Sequence, residues 1–257
     1  MLVLLSCAKT MSGSSKIITP FETVPRFQQE ASEIALQMSQ FSVEDLERLL
    51  RVNAKIAVEN YKRYQAFHAE GNLGLPAFLA YTGIVFKRLN PKVFSVEEFT
   101  YAQEHLRLTS FCYGLLRPLD VIRLYRLEGD VVLPELGNQN MFTYWQSRLT
   151  DVFIEDIKKA GGVLCNLASD EMKGLFDWKR VEKEVRVVTP EFHVWKGRKL
   201  ATIVVYTKMS RGEMARFILK NKIQNPEELQ NFSWEGFEFD ESRSNEKNYI
   251  FINGKEG

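Results

Sequence analysis

Short apolar runs of strand length alternate along this chain with segments whose apolar residues recur at helical spacing. Residues 1–5 and 163–167 are clear examples of the short runs, and residues 142–159 form a long helical segment that ends at two glycines. No βαβ unit or internal repeat recurs, and no linker rich in Pro, Gly or Ser divides the chain. The pattern predicts a mixed α/β (α+β) fold: one compact domain over residues 1–257, with a central sheet flanked by helices.

Capping residues predict where two of the helices begin. Ser95 and Glu98 have the spacing of a capping box, in which the serine hydroxyl and the glutamate carboxylate each accept a free backbone amide. Ser210 and Glu213 repeat this spacing at the start of a predicted helix of residues 210–222. Free amide groups would therefore collect near Ser210.

Two further segments are predicted to be extended. Residues 75–81 are short, apolar and followed by a Thr-Gly pair, which is typical of a strand that ends in a turn. Residues 185–195 and 199–206 are rich in strand-forming side chains and are separated by Gly197. We expect this pair to form a β-hairpin.

Charge and cysteine content exclude several classes of protein. The 34 basic and 33 acidic side chains give a net charge of +1, which disfavours a protein that coats nucleic acid. No apolar run approaches the roughly 18 residues that span a bilayer. The 3 cysteines and 3 histidines lie far apart, without the spacing of a disulfide framework or a metal site. We expect a cytoplasmic monomer without a metal or other cofactor.

Polar side chains collect at three points where a predicted strand ends or a helix begins, and open sheets commonly bind ligands at such points. The first cluster, with Ser6, Lys9 and Thr10, directly follows the first strand. An ordinary polar loop is the alternative interpretation. The second cluster spans residues 166–171, where Asn166 lies within an apolar strand. A buried Asn needs hydrogen-bond partners, so a ligand or network role is predicted for it.

Ser169, in the same second cluster, is explained most simply as a helix cap. The third cluster contains Lys208 and Arg211, and Arg211 falls near the predicted start of a helix. A basic side chain at that position suits binding of a phosphate or carboxylate, with a structural ion pair as the alternative. The surrounding residues 196–222 hold 8 basic side chains and 1 acidic one, so a basic face can exist on a nearly neutral chain.

Residues 113–128 concentrate arginines and tyrosines around a turn. Asp120 and Glu128 could neutralise the arginines within the fold, or the arginines could contact phosphates from an exposed hairpin. Both interpretations remain open from the residues alone.

Four segments resemble motifs of the YaaA family of bacterial peroxide-stress proteins, and the likeness extends over nearly the whole chain. Residues 6–10 are similar to the family's Ser-Pro-Ala-Lys-Thr, and residues 113–128 to its Leu-Tyr-Gly-x-Leu-Arg-Pro-Leu-Asp and Tyr-Arg-Leu-Glu block. Residues 166–171 match Asn-Leu-Ala-Ser-x-Glu, and residues 211–216 match Arg-Gly-x-Met-Ala-Arg. Cys7 stands where the family has Pro, and either adds sensitivity to peroxide or only fills space.

The resemblance implies a cytoplasmic protein that limits oxidative damage. It also implies a positively charged cleft and a helix-hairpin-helix-like element that binds duplex DNA. That element maps to residues 106–122, with Gly114 at its turn. Two functions follow as hypotheses.

The first hypothesis is a protein that binds duplex or branched DNA by its backbone, with little dependence on sequence. The side chains expected to contact DNA are those of the arginine-rich segment and the basic third cluster: Tyr113, Gly114, Arg117, Arg123, Arg126, Lys208 and Arg216.

The second hypothesis is an enzyme that acts on a nucleotide or a damaged base. Lys9 would serve as nucleophile or electrostatic stabiliser, and Glu171 as general acid or base. A small nucleotide-like ligand would be held by a pocket of Ser6, Thr10, Asn166, Ser169 and Arg211.

Overall fold

The computed structural model describes residues 1–255, and ten α-helices lie within them. Their bounds are α1 Gln28–Met38, α2 Val43–Leu50, α3 Ala54–Gln65, α4 Ala77–Ala80, α5 Ile84–Leu89, α6 Val96–His105, α7 Met141–Lys159, α8 Asp170–Lys173, α9 Trp178–Glu184 and α10 Val204–Asn221. The capping box predicted at the start of α6 is confirmed, with the Ser95 amide donating to Glu98 Oε2 at 2.8 Å. None of the helices in this part of the chain is long and apolar enough to cross a membrane.

Twelve strands lie in the same part of the chain, and most belong to one sheet. Their bounds are β1 Leu2–Leu5, β2 Leu75–Pro76, β3 Leu106–Ser110, β4 Gly114–Leu116, β5 Val121–Ile122, β6 Val132–Leu133, β7 Gln139–Asn140, β8 Val163–Asn166, β9 Arg186–Lys196, β10 Lys199–Ala201, β11 Phe237–Phe239 and β12 Asn248–Asn253. The main sheet has the order β11-β12-β9-β8-β1-β3-β4, and β10 pairs with β9. The predicted mixed α/β fold with a central sheet flanked by helices is confirmed, and the sheet is mostly parallel.

The centre of the sheet is parallel, and β1 lies between β3 and β8. All four residues of β1 are buried, as expected of a strand that is covered by helices on both faces. The chain leaves β1 for β3 on one side and later places β8 on the other. Strand order therefore reverses at β1, and the carboxyl ends of β1 and β8 border a crevice of the kind in which open sheets bind ligands.

The prediction of a strand over residues 75–81 is wrong for most of its length. Leu75 and Pro76 are extended, as β2, the next four residues form α4, and Tyr81 is extended in an isolated bridge to Met11. Periodicity cannot separate a short buried helix from a short buried strand, because every position of both is apolar. Pro76 then occupies the residue before the helix, and its own missing amide costs the helix no hydrogen bond.

The predicted hairpin around Gly197 is confirmed, but its second strand is only β10, and α10 begins at Val204 rather than near Ser210. The β-branched and aromatic residues 204–207 have strand propensity, yet they form the first turn of α10, in which Val204, Val205 and Tyr206 are exposed. The capping box predicted for Ser210 and Glu213 is therefore wrong. Ser210 lies in mid-helix, fully buried, and its Oγ has no hydrogen-bond partner among the described residues.

Residues 106–122 form β-structure rather than the helix-hairpin-helix-like element that the family resemblance implied. β3 and β4 pair as an antiparallel hairpin within the main sheet, and β5 pairs with β2. Gly114 does lie beside the turn with a positive φ of 69°, and a Cβ there would meet the Trp145 ring at 2.7 Å. The absence of a side chain at Gly114 therefore lets α7 pack closely against this edge of the sheet, and α7 covers the hairpin.

Candidate functional site

A cavity of about 310 Å³ opens at the carboxyl ends of β1 and β8, and we call it the strand-end chamber. Residues from all three predicted polar clusters line it, although those clusters are far apart in sequence. They are Ser6, Lys9, Thr10, Ser169, Glu171, Lys208 and Arg211. Of the predicted pocket residues, Asn166 alone does not line the chamber.

Hydrogen bonds between distant segments fix the position of the loop that follows β1. The Ser169 amide donates to Ser6 Oγ at 2.9 Å, and the two hydroxyl oxygens lie 3.3 Å apart. Thr82 donates its amide to the Thr10 carbonyl at 3.0 Å. The end of β1 is thus joined to the start of α8 on one side and to the segment before α5 on the other.

Two glycines allow the walls of the strand-end chamber to approach each other. A Cβ on Gly83, which precedes α5, would lie 2.9 Å from the Ala8 Cβ. A Cβ on Gly212 would lie 2.2 Å from the carbonyl oxygen of Val85, where α10 crosses α5. No larger side chain fits at Gly212 without moving backbone, so this glycine sets the depth at which the neighbouring Arg211 lies.

The floor of the strand-end chamber is apolar and largely aromatic. It is formed by Phe86, Phe111, Tyr125, Leu127 and Met172, all buried. The Tyr125 hydroxyl is held at 2.6 Å from that of Tyr81 and 2.7 Å from the hydroxyl of Ser110, so the ring is fixed. A flat aromatic group could pack on this floor.

Charged side chains surround the floor. Lys9 Nζ lies 2.7 Å from Glu128 Oε2, and Nη2 of the Arg126 guanidinium lies 3.1 Å from Glu128 Oε1. Lys9 is exposed, whereas the Glu128 side chain is only 13% exposed. Lys9 and Arg126 therefore share one carboxylate and keep donors available to the chamber.

Arg211 differs from these two basic residues because it has no acidic partner. Its Nε is buried and makes no hydrogen bond within residues 1–255, and no carboxylate in that range lies within ion-pair distance of its guanidinium. Burial lowers the pKa of Arg211, while the nearby carboxylates of Asp170 and Glu191 partly oppose this shift. A buried donor without an acceptor costs free energy, and an anionic ligand would supply the acceptor.

Glu171 and Cys7 also face the strand-end chamber, and they differ in reactivity. Glu171 is exposed, and its carboxylate makes no ion pair or hydrogen bond within the described part of the chain, so it is free to act on a ligand. Burial raises the pKa of the Cys7 thiol to about 12, and the Glu171 and Glu128 carboxylates add to the shift. The raised pKa disfavours the reactive thiolate form, which favours the space-filling interpretation of Cys7.

Asn166 lies at the end of β8, only 1% exposed. Its Oδ1 accepts the amide of Ala168 at 3.2 Å, and its Nδ2 has no partner in residues 1–255. Asn166 thus shapes the turn between β8 and α8 rather than the chamber surface. Ser169 precedes α8 but its side chain does not cap the helix; it contacts Ser6 instead, so the predicted capping role is wrong.

The residues predicted to contact DNA do not come together. Lys208 and Arg126 line the strand-end chamber, but Tyr113 and Gly114 are buried. The Tyr113 hydroxyl accepts the backbone amide of Arg123 at 2.9 Å. Neither Tyr113 nor Gly114 reaches a surface on which DNA could lie.

The remaining arginines of that set are engaged within the fold. Arg117 forms an ion pair with the Asp120 carboxylate at 2.9 Å, as expected if Asp120 neutralises an arginine within the fold. Arg123 donates to the Phe67 and Asn72 carbonyls and lies over the Phe67 ring. Arg216 pairs with Glu213 on α10. These side chains hold elements together, so a role for them in DNA contact would require breaking such bonds.

Sequence reasoning missed Glu128 as a chamber residue and missed the aromatic floor. The predicted role of Glu128 as a partner of a nearby arginine is confirmed by its ion pair with Arg126, but its second ion pair, with Lys9 119 residues away, was not predicted. The Thr-Gly pair at residues 82 and 83 was a usable signal, since it marks a tight turn beside the chamber. The floor gave no signal, because its members are ordinary core residues scattered over four segments.

Comparisons with known proteins agree with the arrangement of motifs. A sequence model of the family described as peroxide stress protein YaaA matches residues 1–243. A UPF0246 protein of Bacteroides thetaiotaomicron is 82% identical over 99% of both chains. UPF0246 proteins of Porphyromonas gingivalis and Crocosphaera subtropica are 48% and 36% identical, each over 98% of this chain and over 99% and 100% of their own. The chain therefore belongs to the peroxide stress protein YaaA family, to which the UPF0246 name also attaches.

Proposed function

We propose that this protein limits oxidative damage under peroxide stress by binding a nucleotide, free or within a nucleic acid, in the strand-end chamber and acting on its base. The unpartnered guanidinium of Arg211 at the edge of an aromatic floor carries the proposal. The guanidinium would bind the phosphate of the nucleotide, while the base packs on the aromatic floor. The family description supplies the setting of peroxide stress.

The size and lining of the chamber support a ligand with one flat ring system. A volume of about 310 Å³ is at the small end of the range for ligand pockets. Stacking of a base on aromatic side chains stabilises binding by about 1–3 kcal/mol and tolerates different bases. Phe86, Phe111 and Tyr125 offer such surfaces at the bottom of the chamber.

The charge of the lining supports an anionic ligand. Four basic side chains, Lys9, Arg126, Lys208 and Arg211, face two acidic ones, Glu128 and Glu171. The chamber therefore has a net positive charge although the whole chain is almost neutral. Arginine suits phosphate because its planar guanidinium can donate two parallel hydrogen bonds.

The reactive groups favour acid and base chemistry. Glu171 has a free carboxylate on the chamber edge, so we assign it the role of general acid or base. Lys9 is paired with Glu128, which fits an electrostatic role for its ammonium group better than a nucleophilic one. The thiol of Cys7 takes no part, because its raised pKa leaves almost no thiolate.

Calorimetric titration with guanosine 5′-monophosphate tests the proposal. The Arg211→Gln variant should bind it about ten- to a hundredfold more weakly, which corresponds to the loss of about 1.5–3 kcal/mol from a hydrogen bond to a charged group. Arg198→Gln removes an exposed arginine of the β9–β10 turn outside the chamber and should bind like the unchanged protein. Equal affinity of the Arg211→Gln variant and the unchanged protein would contradict the proposal.

A second candidate function, DNA binding, is favoured by a surface next to the chamber. A shallow cavity of about 470 Å³ is lined by Lys16, Lys87 and Lys92, and it shares Phe86 with the strand-end chamber. We call it the lysine trough. The three lysines are exposed, and none forms an ion pair within residues 1–255. A phosphate backbone lying in the trough could lead into the chamber.

Salt-dependent binding of duplex DNA tests this second function. Replacing Lys16, Lys87 and Lys92 together with Gln should weaken binding and reduce the slope of log affinity against log salt by about 3, since each phosphate contact contributes about one. The matched control replaces Lys55, Lys62 and Lys179, which are exposed on α3 and α9. If both triple variants lose affinity equally, the binding is a diffuse charge effect and the trough has no special role.

A further inference from the structure

A third cavity, of about 430 Å³, lies beside the strand-end chamber and shares Arg211 with it; we call it the distal chamber. Its lining comes from β9, from the starts of α8 and α10, and from the segment before β12. Glu191, His193, Thr202 and Lys247 are among its side chains. Of the residues in the four family motifs, only Ala168, Asp170 and Arg211 line this cavity, so the proposed nucleotide function leaves most of its lining unexplained.

Arg211 lines both chambers and is the charged group that they share. It projects from the middle of α10, where the close contact of Gly212 with Val85 fixes the backbone. Asp170 and Glu191, which lie near enough to influence the guanidinium, both belong to the distal chamber. Neither carboxylate is within ion-pair distance of Arg211, so space for a ligand group remains between them.

The distal chamber has a different charge balance from the strand-end chamber. Three basic side chains, Lys173, Arg211 and Lys247, offset three acidic ones, Asp170, Glu182 and Glu191. Such a lining gives no net attraction for a second anion. It suits a neutral group rich in hydroxyl or amine donors, since carboxylates accept hydrogen bonds from them.

A hydrogen-bonded series of side chains shapes one wall of the distal chamber. The two nitrogens of His193 lie 3.2 Å from Glu191 Oε2 and 3.2 Å from Thr202 Oγ1. Glu191 and His193 are two positions apart on β9, so their side chains point to the same face of the sheet. The series holds the Glu191, His193 and Thr202 side chains in place on this wall, where their hydrogen-bonding groups suit a hydroxyl-rich ligand such as a sugar.

We propose that the two chambers form one site for a phosphodiester, with the phosphate on Arg211, one base on the aromatic floor and the second nucleoside unit in the distal chamber. This inference rests on the proposed nucleotide function and specifies its ligand as two linked units rather than one. Because Arg211 lines both chambers, a phosphate bound there has space for a substituent in each of them.

Charge alone makes the opposite prediction, which gives a sharp test. A phosphomonoester carries up to two negative charges, whereas a phosphodiester carries one, so a site that selects by charge prefers the monoester. A site with room for the second unit prefers the diester. The dinucleoside monophosphate GpG is the best probe, because its two units are alike and either orientation places a guanosine in each chamber.

Titration calorimetry with GpG, guanosine 5′-monophosphate and guanosine 3′-monophosphate measures this preference. The unchanged protein should bind GpG about tenfold or more tightly than either monophosphate, as expected for a few added hydrogen bonds. The variant Glu191→Ala with His193→Ala removes a carboxylate near Arg211, so it should bind the monophosphates at least as tightly as the unchanged protein does, and it should lose the preference for GpG. Binding of the monophosphates shows that the variant is folded.

Glu238→Ala is the matched control, since Glu238 is an exposed carboxylate on β11 that lines neither chamber. It should keep the preference for GpG. Monophosphates that bind as tightly as GpG, or a preference that survives the double substitution, would overturn the inference while leaving the nucleotide function intact. Failure of all three probes to bind would overturn both.

Discussion

At the scale of single residues, the presence or absence of a partner separates binding side chains from structural ones. Arg117 and Arg216, which the sequence offered as phosphate contacts, are paired with Asp120 and Glu213. Arg211 has no such partner within residues 1–255 although its Nε is buried. Each of the three arginines has an acidic residue within three positions in the sequence, so only the fold distinguishes them.

Cys7 yields a prediction at the same scale. Because burial and two carboxylates raise the pKa of its thiol to about 12, the folded protein at pH 7 should hold on the order of a thousandfold less thiolate at Cys7 than a free cysteine does. Alkylation by iodoacetamide, followed by mass spectrometry, should therefore be very slow and should accelerate only as the pH is raised toward 12.

The unfolded chain provides the control for this experiment. Cys112 and Cys165 are fully buried, whereas Cys7 is half-buried, and the thiol pKa of each of the three is raised. All three cysteines should therefore resist alkylation in the folded protein and react together in guanidinium. Rapid alkylation of Cys7 in the folded protein, or its oxidation by low peroxide, would show that it is a reactive thiol after all.

At the scale of secondary structure, the largest departure from the sequence prediction is the start of α10. The helix begins at Val204 and carries Ser210 into its buried middle, where the hydroxyl has no partner among the described residues. This extra length also places Arg211 in mid-helix, away from the free amide groups of the helix start. Binding of an anion there depends on the guanidinium rather than on the helix dipole.

Two serine substitutions distinguish the observed helix start from the predicted one. Ser210→Ala should leave the free energy of unfolding unchanged or raise it by up to about 1 kcal/mol, since it removes an unsatisfied buried hydroxyl and improves helix propensity. Ser95→Ala, in the capping box of α6, should lower it by about 1 kcal/mol. Urea unfolding measures both. A loss of about 1 kcal/mol or more at Ser210 would restore the capping role.

At the scale of the whole molecule, the place of the site could be predicted better than its composition. Clusters that follow β1 and β8 had to meet, because parallel strands bring their carboxyl ends to one edge. Contacts between distant segments could not be predicted: Lys9 meets Glu128 across 119 positions, and the aromatic floor gathers ordinary core residues. The residues 106–122 were assigned to a DNA-binding element by likeness of motif, but they form buried strands.

The charge distribution is also a property of the whole molecule. A net charge of +1 conceals a strand-end chamber with four basic and two acidic side chains, beside a distal chamber with three of each, and Arg211 is counted in both. Charge is thus concentrated where a phosphate would lie, and it is neutralised where a sugar would lie. A nearly neutral chain can therefore bind an anion at one point without coating itself with nucleic acid.

A crystal structure of the full chain with guanosine 5′-monophosphate bound tests the nucleotide site most directly. Density for the phosphate is expected within about 3 Å of the Arg211 guanidinium, the usual distance of a charge-assisted hydrogen bond, with the base on the floor formed by Phe86, Phe111 and Tyr125. A nucleotide bound elsewhere, with the strand-end chamber empty and Arg211 still without a partner, would contradict the assignment.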